Sequence, residues 1–142
     1  MTNFKLDFVL NITKFYYILS KTLDSKLGWL WFNDFIVLYI LSEAENQTLK
    51  RIDLAEKMWL TASWVTRLLL PMEKIWLVKK EVNESDARVS LVTLASWWRQ
   101  KLEEALERIN FFLDENFDLL WGDKILDFSK FLKLTWWKMM WK

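Results

Sequence analysis

The chain offers hydroxyls, carboxylates, amines and guanidinium groups for chemistry, but neither histidine nor cysteine. It therefore lacks the usual general base, any thiolate nucleophile or redox thiol, and the commonest soft metal ligands. Glu103, Glu104 and Glu107 come nearest to a paired acid, yet their spacing is that of a solvated helix face. No enzyme, cofactor or metal site is expected. What remains is hydrogen-bond donation and positive charge, and these are concentrated. Residues 50–101 hold ten Lys/Arg and six Asp/Glu, whereas the remainder holds ten and thirteen. Ser63, Thr66, Arg67, Lys79, Lys80, Asp86 and Arg88 all fall in one stretch, LTASWVTRLLLPMEKIWLVKKEVNESDARVSLVTLA, residues 60–95. That inventory suits non-covalent recognition.

The elements that must position these side chains follow from hydrophobic periodicity. Phe4, Phe8, Ile12, Phe15, Leu19 and Leu23 recur every three to four residues, which predicts an amphipathic helix too apolar to stand exposed. A second helix is expected from about Asn33, as N-cap, to Ala44, with Phe35, Leu38, Tyr39 and Leu41 inward and ENQT as the following loop. LKRIDLAEKM predicts a short helix burying Ile52, Leu54, Ala55 and Met58. After a turn at Trp59 and Leu60, Thr61 caps a further helix to about Lys74. This helix turns Val65, Leu68, Leu69 and Met72 inward and Ser63, Thr66, Arg67 and Leu70 outward. Pro71 removes a donor and is expected to kink it.

LVKKEV and RVSLVTL, separated by NESDA, read as a hairpin with a polar tip. Two short helices joined by a tight turn and followed by a ribbon make a winged helix-turn-helix. A long helix from Ser96 to about Leu120, with Leu102, Leu106, Ile109 and Leu113 on one side, is broken at Gly122 and Asp123, and a last helix runs from about Lys124 to Met140. The expected fold is mainly α. Residues 1–142 form a single domain in which a winged lobe, 30–95, is flanked by helical regions at 1–27 and 96–142.

The N-terminus has no basic segment followed by an uninterrupted apolar core, and no run approaches the roughly 18 apolar residues of a spanning helix. A cytoplasmic protein is expected, without a membrane partner. The formal net charge of +1 excludes a general polyanion binder, so any affinity for nucleic acid must come from local charge. Glycine is conspicuously scarce. About 7% usage would give roughly ten residues; there are two glycines, beside eleven tryptophans. The counts suggest that one has been exchanged for the other.

At LAEKM, VTRLLLPMEKIWLVKK and DARVSLVTL the chain resembles the MarR family of dimeric winged-helix transcription regulators, and the order of elements matches over nearly its whole length. The resemblance implies that Ser63, Thr66 and Arg67 face the major groove of double-stranded DNA or its phosphates. It also implies that Arg88, oriented by Asp86, reaches toward the minor groove, and that Lys50, Lys79 and Lys80 touch phosphates. Arginine suits both grooves, offering a bidentate fork to guanine and favouring the negative potential of a narrow minor groove. The terminal helices, with Phe4, Phe8, Ile12, Phe15, Phe128 and Phe131, would form a homodimer on a pseudo-palindromic operator. The regulator would be a repressor relieved by a small, often aromatic, ligand. Trp59, Trp76 and Trp98 stand where the family tends to have glycine, and Ala95 replaces a threonine cap, leaving Ser96 to serve.

Plainer readings stand beside these. Arg67 and Thr66 suit a solvated helix face, Asp86 and Arg88 a hairpin salt bridge, and Lys79 and Lys80 the guarding of a strand edge. Trp64 is expected to flank the core beside Leu68 or to obstruct the groove. The C-terminal KLTWWKMMWK suits dimer contacts with an exposed tail, or an interfacial membrane helix. The alternative to a working regulator is an altered helical dimer scaffold that has lost specific DNA binding.

Overall fold

The structure is a computed structural model in which residues 3–117 and 121–141 are described. The order is α1 (Phe4–Lys26), α2 (Phe32–Ser42), β1 (Thr48–Lys50), α3 (Arg51–Met58), α4 (Ala62–Lys74), β2 (Val78–Val82), β3 (Ser90–Leu94), α5 (Trp98–Asn116) and α6 (Gly122–Met140). The chain divides into two compact units, residues 1–108 and 109–142.

In the first unit, α2, α3, α4 and β3 enclose an apolar core. Val37, Leu38, Leu41, Leu54, Val65, Leu69, Met72, Leu77 and Val92 are almost wholly buried. Each such side chain contributes about 1.5–3 kcal/mol by leaving water, which is ample reason for α3 and α4, short as they are, to hold together. The sheet order is β1-β3-β2, antiparallel throughout, with Leu49 opposite Val92, and Lys79 and Lys80 opposite Thr93 and Val92. The expected two-stranded wing thus has a third strand at its base. Thr93 explains the addition, because its buried hydroxyl donates to the Gln47 carbonyl at 3.1 Å and accepts from Thr48 Oγ1 at 3.0 Å. ENQT is accordingly a 3-10 turn, Glu45–Gln47, that runs into β1.

Other expectations need correcting. The N-cap of α2 is Trp31, with Asn33 inside the helix, because carboxylates hold the turn: Asp34 accepts from the Trp31 N–H at 3.1 Å and Asp24 from the Phe32 N–H at 2.7 Å. Asp34 is buried where Tyr39 was expected, and Tyr39 is exposed along with Ile52 and Leu113. α4 does run to Lys74 as expected, with Pro71 inside it. α5 starts at Trp98, where the Trp97 carbonyl accepts from the Lys101 N–H at 3.3 Å, so Ser96 is not its cap.

In the second unit α6 begins at Gly122 and buries none of its residues. Phe128 and Phe131 stack on each other with ring centroids 6.5 Å apart. In the first unit Phe4, Phe8 and Phe15 are exposed on α1 and Ile12 is half-buried.

Candidate nucleic-acid interface

Thr61 is the N-cap of α4, accepting from the Trp64 N–H at 3.2 Å, and its hydroxyl lies 3.2 Å from that of Ser63. The apolar stripe Val65, Leu69 and Met72 fixes the rotation of the helix and turns Ser63 and Arg67 to solvent, with Thr66 half-buried. The Thr66 hydroxyl donates to the Ala62 carbonyl at 2.9 Å, leaving its lone pairs and methyl group for a partner. The Arg67 guanidinium lies over the Trp64 ring, 5.8 Å from its centroid. Trp64 is exposed and does not flank the core, since it precedes the buried Val65 and points off the stripe.

The hairpin tip is held by its own polar groups. Asn83 Oδ1 accepts from the Ser85 N–H at 2.9 Å. Asp86 Oδ1 accepts from the Arg88 backbone N–H at 3.0 Å and from Arg88 Nε at 3.2 Å. These bonds, the guanidinium's first and the backbone's second, hold the Asp86 carboxyl below the usual carboxylate range, and nearby Lys50 adds to the effect. The Arg88 side chain is 92% exposed, so the aspartate aims a cation that is otherwise open to solvent.

Lys79 and Lys80 are less free than the sequence suggested. Lys79 Nζ lies 3.4 Å from Glu81 Oε1, and Lys80 Nζ lies 3.6 Å from Glu73 Oε1 on α4. That second pair ties the wing to the helix, a proximity that only the packing of β2 on α4 creates. Glu73 Oε1 is shielded from solvent and has no hydrogen-bond partner among the described residues. Sequence reasoning also missed Asp34. Burial pushes its pKa from 3.8 to about 6, against the lowering effect of the Trp31 N–H, and the Asp24 charge adds to the rise. An acid three residues inside a helix start was the available signal. Among the described residues no group of Asp and Glu could hold a metal ion, and no helix is long and apolar enough to cross a membrane.

Two helices joined by a tight turn, the second with a polar outer face, and a hairpin with an aimed arginine together define a winged helix-turn-helix protein. Residues 33–90, which contain every one of these candidate contacts, match the model of the MarR family. The transcriptional regulator BldR from Sulfolobus solfataricus is 26% identical, with 94% of this chain and 99% of that one covered at a TM-score of 0.80. AbsC, a MarR family transcriptional regulator from Streptomyces coelicolor, is 23% identical over 100% and 98% at 0.87. Sco3205, a MarR family regulator from the same organism solved in complex with DNA, is 19% identical over 95% and 87% at 0.83. No curated protein matches the sequence. The resemblance read from the sequence is borne out in the winged lobe and in the fold: residues 33–90 match the MarR family's model, and the mainly helical winged-helix fold is that of solved MarR family transcription regulators.

Proposed function

We propose that the protein acts in the cytoplasm as a homodimeric, sequence-specific regulator that represses transcription and is released by a small aromatic ligand. The observation that carries the reading is Arg88, solvent-exposed and aimed by Asp86 at the tip of a wing that follows a helix face with Ser63 and Arg67 exposed and Thr66 half-buried. A hairpin gains little stability from such a surface pair, whereas a pre-aimed guanidinium saves ordering when it enters a groove. Ser63, Thr66 and Arg67 read the major groove, Arg88 the minor groove, and Lys50, Lys79 and Lys80 take phosphates. Phe4, Phe8, Ile12 and Phe15 on α1 and Phe128 and Phe131 on α6 are covered by the second copy. The exposed apolar residues of both helices support this, because such area on an isolated chain marks an interface.

The test is fluorescence anisotropy on duplexes selected from random sequence, across a salt series. Arg88→Ala is expected to weaken binding to the selected site by about 1–3 kcal/mol while sedimentation still reports a dimer. Unchanged affinity would remove the wing from the reading. Equal, weak binding to every duplex would favour the scaffold that has lost specificity.

A further inference from the structure

Three helices of the first unit end on a residue in the left-handed backbone region. After α1 that residue is Gly28, with φ +76°. After α3 it is Trp59, with φ 58° and ψ 32°. After α4 it is Trp76, with φ 61°. At both tryptophans the chain closes the helix in the same way. The Leu60 N–H donates to the Ala55 carbonyl at 3.1 Å, and the Leu77 N–H to the Met72 carbonyl at 3.0 Å, each bond spanning the left-handed residue. This six-to-one closure is the helix ending that glycine serves, since a side chain there meets the following carbonyl. Among the described residues the other non-glycine positions with positive φ, Asn46 and Gln47, lie in a polar turn, and asparagine tolerates that region.

The tryptophans also do not behave as tryptophans. The residue is on average highly buried, yet of the seven in the first unit six are exposed and Trp98 is only half-buried. The exposed indoles of Trp59 and Trp76 therefore offer the core little in return for the strained backbone. With two glycines against eleven tryptophans, one systematic exchange accounts for the scarcity, the surplus, the exposure and the two strained helix ends together.

We infer that positions 59 and 76 are glycine positions, and that the polypeptide made in its own cell carries glycine at both. A codon that some genetic codes read as tryptophan and others as glycine makes such an exchange without any change in the gene. The inference does not depend on DNA binding.

Peptide mass spectrometry of the protein purified from the cells that naturally carry its gene decides it. Peptides spanning 59 and 76 are expected to be lighter by the mass difference between tryptophan and glycine at each position; tryptophan at either position overturns the inference. Independently, the full chain bearing Trp59→Gly and Trp76→Gly is expected to melt roughly 5 °C or more above the chain with tryptophan. Trp64→Gly, made inside the regular backbone of α4, is expected to lower the melting temperature. A double variant that melts no higher, or a gain equalled by Trp64→Gly, counts against a glycine-specific backbone at 59 and 76.

Discussion

Asp34 gives the fold a defined pH dependence. The residue is 7% exposed, and burial raises its pKa from 3.8 to about 6. The charged groups facing it are few: Asp24, from α1, bonds the adjacent Phe32 N–H and its charge adds to the rise, while the Trp31 N–H opposes it. Because the folded pKa lies above the unfolded one, the fold disfavours the ionised form. Below pH 3.8 the carboxyl is protonated in both states and there is no penalty. Between 3.8 and about 6 the unfolded chain ionises first, stability falls, and above about 6 the penalty is complete. At 1.36 kcal/mol per pK unit the full effect is roughly 2–3 kcal/mol. Asp34→Asn removes the ionisation and keeps an oxygen for the Trp31 N–H. Thermal melts of both proteins at about pH 4, 5, 6 and 7.5 isolate the effect. The melting temperature of the variant relative to the parent should rise with pH by about 4–10 °C in all, most of it before pH 6. A difference that is flat with pH, or that shrinks, would refute the argument.

Thr93→Val deletes a buried hydroxyl whose partners are Gln47 and Thr48, and should lower stability by about 1–3 kcal/mol in denaturant melts, with β1 the first segment to exchange its amides. Phe15→Glu on the exposed face of α1 should shift sedimentation toward monomer while circular dichroism stays helical, and an unchanged sedimentation coefficient removes Phe15 from the proposed interface. Glu73→Gln should free Lys80 for phosphate, tightening DNA binding and steepening its dependence on salt by about one ion; identical slopes would mean that Lys80 does not reach DNA.

The parts of the fold most legible in the sequence were those with local causes. Thr61 as a cap, the Val65–Leu69–Met72 stripe and the two β-branched arms of the hairpin each announce themselves within a few residues. β1 did not, because Thr48–Lys50 is three residues long and owes its strand to pairing with β3, 45 positions away at Thr93. Ile52 and Tyr39 fit a helical stripe by spacing, but α2 and α3 bury narrower faces than their composition suggested, and the leucines Leu38, Leu41 and Leu54 fill them. The candidate contacts Ser63, Arg67 and Arg88 sit on surfaces, as their types implied. The ion pairs of Lys79 and Lys80 were hidden, because strand register and the packing of β2 on α4, rather than helical spacing, bring Glu81 and Glu73 near.

Those pairings bear on how such a lobe could discriminate. Lys79, Lys80 and Arg88 each stand within 4 Å of a carboxylate. Under the proposed function phosphate must therefore compete with an acid for each cation, and the lobe's non-specific grip on DNA would fall short of what its cation count suggests. The cost is uneven. The Lys79 and Arg88 pairs are exposed, so both partners rehydrate readily when separated. Drawing Lys80 away instead leaves a sheltered Glu73 oxygen that accepts no hydrogen bond from the described residues. Arg88 is thus the cation most cheaply diverted to a groove, and Asp86 can keep its backbone bond to the Arg88 N–H while the guanidinium leaves. Under the proposed function the wing tip would engage first and at little expense. Lys80 would engage only where the fit of α4 to the bases offsets leaving the sheltered Glu73 oxygen without its cation, which couples the strength of phosphate contact to the correctness of the sequence being read.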